Sequence, residues 1–142
     1  MGIVLDASVT LAWLIERVDA AEVHLTNEIL RQIQAQDAIV PSLWFLEVSN
    51  GILMAERRGV VTPAQSVRFL GMVDTLPIEE DRTQSALVQA TALTLARACG
   101  LTAYDATYLE LTVRTRRTLA TFDRQLADAT RKAGGRVFGD RP

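Results

Sequence analysis

Histidine and cysteine are almost missing from this chain: 142 residues contain one of each, His24 and Cys99. A zinc site of imidazole and thiolate ligands therefore cannot be assembled within one chain, and no internal disulfide can form. A serine–histidine–acid triad would rest on His24 alone. That residue lies in the polar stretch between Val18 and Asn27, and no nucleophile-elbow sequence supports the reading. Lysine is equally scarce. Lys132 is the only one, and the other fourteen basic residues are arginines. Set against 17 acidic residues they leave a net charge of −2, so no strongly basic surface announces nucleic acid. Apolar runs are broken by charge well before membrane-spanning length. The N-terminus has no basic stretch or cleavage site, and Asp6 arrives too early for a signal peptide. The expectation is a soluble chain in a reducing cytoplasm, with no membrane partner.

What remains is ordinary globular material, 49% hydrophobic and 23% charged, of a length best read as a single domain spanning 1–142. Short apolar runs alternate with helical patterns. Strands are expected at residues 2–5, at Ala38-Ile-Val40, near Leu76-Pro-Ile78, at Thr118-Leu-Ala120 and at Arg136-Val-Phe138. Helices are expected from Asp6-Ala-Ser8 to about Ile15, from Ala20 to Gln34, and from Leu43 to Arg58 with Ser42 as cap and Gly59 as stop. Further helices follow from Thr62-Pro63 to about Thr75, from Thr83 to Cys99, from Thr102 to about Arg116, and from Asp123 to Ala133. Alternation of this kind argues for an α/β fold with a parallel sheet covered on both faces. In such sheets ligands bind beyond the carboxyl ends of the strands, at a topological switch point.

Four acidic residues stand out against this frame. Asp6 ends the first strand, Glu47 interrupts an apolar helix, Asp105 follows a helix start, and Asp123 follows the Thr118–Ala120 strand. Taken singly, each aspartate has a plain structural explanation. Asp6 and Asp123 can cap the helices they precede, and Thr102 with Asp105 fits a loose capping box. Glu47 has no such excuse, because it lies five residues past Ser42 on a helix that is apolar nearly all round. Burying a carboxylate there is costly unless it is paired. The alternative is that Glu47 reaches solvent along one polar stripe with Asn50 and Arg57 or Arg58. If the fold gathers the four acids, their repulsion calls for a cation, and hard divalent ions prefer oxygen ligands. Trp44, Phe45, Leu46, Val48, Ile52, Leu53 and Met54 encircle the Glu47 helix, which is expected in the core or in a dimer interface. Trp13 and Phe69 are expected in the core, and Arg114, Arg116 and Arg117 at a helix end where they complement the dipole.

At this point the chain resembles the PIN-domain ribonucleases, and specifically the VapC-type toxins of bacterial toxin–antitoxin pairs. The resemblance is carried by Ile3-Val-Leu-Asp6-Ala-Ser8, Pro41-Ser-Leu-Trp-Phe-Leu-Glu47-Val-Ser-Asn50, Leu101-Thr-Ala-Tyr-Asp105-Ala-Thr-Tyr-Leu-Glu110 and Leu119-Ala-Thr121-Phe-Asp123-Arg-Gln-Leu126. Each piece alone is weak; four in this order and spacing are not. The resemblance implies a three-layer α/β/α fold with a short central parallel sheet, and endonucleolytic RNA cleavage dependent on Mg²⁺ or Mn²⁺. It implies that Asp6, Glu47, Asp105 and Asp123 form the catalytic, metal-binding set, with Ser8, Asn50 and Thr121 as polar accessories. It also implies a small cognate antitoxin as partner, and a homodimer through the Leu43–Met54 helix or a larger toxin–antitoxin assembly.

Three rival readings are weaker. A magnesium-dependent phosphatase with Asp6 as nucleophile calls for a second aspartate two positions on, where this chain has Ser8. A receiver-like signalling domain calls for a lysine after a late strand, whereas Lys132 falls in the last helix. A catalytically silent PIN-like binding module has no need of all four acids.

Overall fold

The computed structural model describes residues 2–83 and 85–141. Within them the chain alternates strand and helix: β1 (Ile3–Leu5), α1 (Ala7–Ala12), α2 (Ala20–Ala35), β2 (Ala38–Val40), α3 (Leu43–Arg57) and α4 (Pro63–Asp74). It continues through β3 (Ile78–Glu80), α5 (Ala86–Cys99), α6 (Ala103–Thr115), β4 (Thr118–Ala120), α7 (Arg124–Lys132) and β5 (Arg136–Val137). The five strands form one sheet in the order β3-β2-β1-β4-β5, every neighbouring pair parallel. Helices flank it, giving the expected three-layer α/β/α arrangement.

The strand order explains why one edge of the sheet is special. The chain moves outward from β1 through β2 to β3, then crosses back to place β4 on the other side of β1. The β1–β4 boundary is therefore the switch point, where connections leave in opposite directions and open a crevice above the carboxyl ends. The two strands are in register from Ile3 against Thr118 to Leu5 against Ala120, and the Asp6 N–H extends the ladder to the Ala120 carbonyl at 3.0 Å. Beneath lies a core of Val4, Leu5, Val9, Ile29, Ile33, Val40, Leu109, Leu119 and Leu126, each essentially sealed from solvent.

Local chemistry sets most boundaries as expected. Thr62 and Gln65 complete a reciprocal capping box before α4, with Pro63 in the first turn. Gly100 ends α5 in the left-handed conformation. Other boundaries depart from expectation. Ser42 does not cap α3: its backbone is already helical and its hydroxyl makes no cap bond. The third strand starts at Ile78 rather than Leu76, because Pro77 has no N–H to give to the ladder and serves only as acceptor for Ala38. Helix α1 stops at Ala12, where Trp13 and Leu14 bond to carbonyls three residues back and tighten the turn. Helix α5 begins at Ala86, with Ser85 accepting from Val88 N–H; of the start expected at Thr83, residue 84 lies outside the described residues.

Helix α3 is not wrapped in its own core. Trp44, Val48 and Ile52 are buried, but Leu46 keeps 75% of its surface exposed, and Phe45, Leu53 and Met54 are also open. Phe69 is buried as expected; Trp13 is partly buried against the core. The C-terminal arginines of α6 are dispersed. Arg114 pairs with Glu110 and Asp81, Arg116 leaves the helix at φ 55°, and Arg117 pairs with Asp37.

Candidate active site

Asp6 follows β1 and Asp123 follows β4 by three residues, so the switch point brings together two carboxylates far apart in sequence. Asp6 is 7% exposed. It occupies the N-cap position of α1 yet makes no capping bond with its side chain. Instead its Oδ2 accepts from Ser8 Oγ at 2.7 Å and from Thr121 Oγ1 at 2.6 Å. Both hydroxyls also accept a backbone N–H, Ser8 from Phe122 and Thr121 from Asp123. A single carboxylate oxygen is thus the knot between the ends of β1 and β4.

The other three acids approach from helices. Asp123 does cap α7, its Oδ1 accepting from Leu126 N–H at 2.9 Å. Asp105 sits in the first turn of α6, where Thr102 caps its N–H at 3.1 Å. Glu47 is half-buried in the second turn of α3, and its Oε1 accepts from Tyr108 Oη at 2.7 Å. Among the described residues no hydrogen bond or ion pair joins it to Arg57 or Arg58. Asn50, one turn further along α3, is exposed, and among the described residues it makes no bond to the other site residues.

Electrostatics join the four where hydrogen bonds do not. Burial pushes the Asp6 carboxyl above the ordinary carboxylate range; the Thr121 and Ser8 hydroxyls hold it back, and the charge of Asp123 adds to the rise. Burial likewise raises Glu47, against the pull of Tyr108 and with the added repulsion of Asp6 and Asp105. Asp105 is raised by burial and then by Asp123 and Asp6, with Thr102 opposing. Each acid thus acts on at least one other. Elsewhere in the molecule carboxylates are paired with arginine at Glu22, Glu28, Asp37, Asp81, Glu110, Asp128 and Asp140. Among the described residues, none of the four site acids has such a pair.

Tyr108 is the member that sequence reading missed. It is fully buried, and burial, reinforced by the charges of Asp6 and Glu47, pushes its phenol well above the ordinary range. It therefore stays protonated and serves as a fixed donor. Its position three residues after Asp105, on the same helix face, was the available signal.

The donor set is all oxygen and uncompensated, which suits a hard divalent cation. Among the described residues, no three acids already converge into a coordination shell. A cation here would be held by one or two carboxylates and by water, the usual habit of Mg²⁺.

Comparison with known proteins agrees with this architecture. The family model of the PIN domain matches residues 3–132, and the chain belongs to that family. PIN domains are generally metal-dependent nucleases. Among solved structures, PAE2754 from Pyrobaculum aerophilum is similar at 22% identity with a TM-score of 0.69, over 92% of this chain and 85% of that one. FitAcB from Neisseria gonorrhoeae is similar at 16% identity and a TM-score of 0.65, over 98% and 97% of the two chains. At these identities the likeness speaks to the fold. A comparison with curated proteins finds no significant match. No single helix among the described residues is long and apolar enough to cross a membrane.

Proposed function

We propose that the chain, as one PIN domain over residues 1–142, is an endoribonuclease using Mg²⁺ or Mn²⁺, and that it acts as the toxin of a VapBC-type pair. The observation that carries the reading is the uncompensated acidic set. The protein has fourteen arginines, yet among the described residues none of them pairs with the four carboxylates at the switch point, three of which are raised by burial and by one another's charge. PIN membership supports nuclease chemistry, and the toxin assignment rests on the sequence resemblance.

The residues divide the work. Ser8 and Thr121 saturate Asp6 Oδ2 and aim the carboxylate, leaving Oδ1 without a side-chain bond. Tyr108 holds Glu47 by Oε1 and leaves Oε2 for the crevice. Asp123 spends Oδ1 on its helix and keeps Oδ2. Asp105 completes the set from α6. These oxygens would hold the ion, directly or through water. When bound, the ion supplies Lewis-acid chemistry, easing deprotonation of the attacking water and offsetting charge on the phosphate and leaving oxygen. Asn50, exposed one turn beyond Glu47, would serve as a polar accessory.

Two partners accompany this reading. A small antitoxin would occupy the acidic crevice with a basic side chain in place of the cation. A second copy would cover the open apolar side chains of α3, beside a cleft of about 490 Å³ that Phe45 and Val48 share with Leu70 and Gly71 of α4.

The test is RNA cleavage by the purified chain with Mg²⁺, with Mn²⁺ and with EDTA, beside Asp6→Asn. Cleavage that needs the ion and vanishes in the amide supports the reading. Cleavage that survives EDTA or the substitution defeats it.

A further inference from the structure

An acidic crevice is a poor place for a polyanion to settle, and no arginine is paired with its four acids. One arginine, however, is built against its rim. Arg17 lies in the turn between α1 and α2, with its guanidinium carbon 4.5 Å from the ring centroid of Phe122. Phe122 stands between Thr121 and Asp123, and its N–H is bonded to Ser8 Oγ at 3.1 Å. The arginine is therefore fixed to the same strand end that holds Asp6. A second anchor comes from Glu22, whose Oε2 accepts from Arg17 Nε at 2.7 Å.

The way Arg17 is held differs from the other paired arginines. Arg31, Arg114, Arg117 and Arg131 spend terminal nitrogens on carboxylates. Arg17 is held by Nε and by its flat face, and among the described residues Nη1 and Nη2 have no partner. That leaves the outer edge of the fork unspent, while stacking and the ion pair have already taken much of the side chain's rotational freedom. A half-buried guanidinium with a free edge is matched in shape and charge to a phosphate. Arg124, adjacent to Asp123, is exposed and unanchored by comparison.

We propose that Arg17 is a substrate-positioning residue, gripping an RNA phosphate beside the one that is cleaved. This rests on the endoribonuclease reading above. The division of labour follows from charge: the acids need a cation for the scissile phosphate, and Arg17 receives its neighbour without entering the cation's place. Its loss weakens binding far more than it slows the chemical step.

The experiment measures binding of a fluorescein-labelled single-stranded RNA oligonucleotide by anisotropy, with Asp6→Asn protein so that cleavage does not intervene. Adding Arg17→Ala is expected to weaken binding about tenfold, the loss of one charged hydrogen-bonded contact. It also lowers the slope of log affinity against log salt by about 0.7, one phosphate contact on a single strand, which a mere folding defect would not do. Arg17→Lys restores part of the affinity. In the cleaving protein, Arg17→Ala raises KM with little change in kcat. Unchanged affinity and salt slope in Arg17→Ala overturn the inference while leaving the nuclease reading intact. If the Asp6→Asn protein binds no RNA at all and the unsubstituted chain cleaves none, both fall together.

Discussion

Tyr108 donates its phenolic proton to Glu47 at 2.7 Å across 61 residues of sequence. This bond, made inside the protein by a tyrosine that stays protonated, aims a carboxylate that has no arginine or lysine to aim it. Replacing Tyr108 with Phe removes a pull that keeps Glu47 ionised. Glu47 then titrates higher than it already does, and an ionised Glu47 is what holds a cation. Cleavage by Tyr108→Phe should fall several-fold, more at pH 6 than at pH 8, with the fold retained by circular dichroism. A uniform loss across pH would mean that Tyr108 acts by packing alone.

The buried acids also make a prediction about stability without metal. Asp6 has its folded-state pKa raised, so between the unfolded value near 4 and the higher folded one the native chain binds more protons. Its contribution therefore falls as pH rises from about 4 toward 7. Asp6→Asn keeps acceptors for Ser8 and Thr121 but cannot ionise. In EDTA, the melting temperature of Asp6→Asn relative to the unsubstituted protein should climb by a few degrees over that range, and added Mg²⁺ should close the gap. A difference that does not vary with pH contradicts the burial assigned to this carboxylate.

Arg114 binds Glu110 at 2.6 Å and Asp81 at 2.6 Å, and Glu110 is nearly sealed from solvent. Arg114→Ala leaves that charge buried without a partner, a loss of about 2 kcal/mol after allowing for the arginine's own exposure. Urea denaturation should show a lower midpoint with an unchanged slope. Adding Glu110→Gln should recover part of the loss; no recovery would show that the damage comes from packing.

Leu46 is three-quarters exposed beside Glu47. If a second copy covers α3, Leu46→Lys should convert a dimer into a monomer in light scattering at micromolar concentration. A chain that is monomeric before the substitution sinks the homodimer.

Much of the fold was legible because its signals are local. The strands at Ala38–Val40 and Thr118–Ala120 are short apolar runs between breakers, and Thr62 with Gln65 needs nothing beyond its own turn. The acidic residues were legible as anomalies, Glu47 above all. What could not be read was orientation. Asp6 in sequence is a good helix cap, but its carboxylate is diverted to Ser8 and to Thr121, the latter arriving from a strand end 115 residues away. Likewise the apolar circuit of α3 hides which side faces its own core, since burial depends on where α1 and α4 come to lie. Ser42 fails as a cap for a related reason: its backbone has already entered the helix.

The bond from Thr121 to Asp6 has a consequence for the chain as it is made. Asp6 leaves the ribosome 115 residues ahead of Thr121. The strand just before Thr121, β4, must slot in beside β1, after every other described element except α7 and β5 has been synthesised. Until then Asp123 is missing from the acid cluster, and Asp6 has Ser8 but not Thr121 to aim it. A nascent chain stalled before residue 118 thus carries three of the four acids but lacks the strand end that fixes Asp6. The acid cluster is complete only once β4 and the residues that follow it have been made.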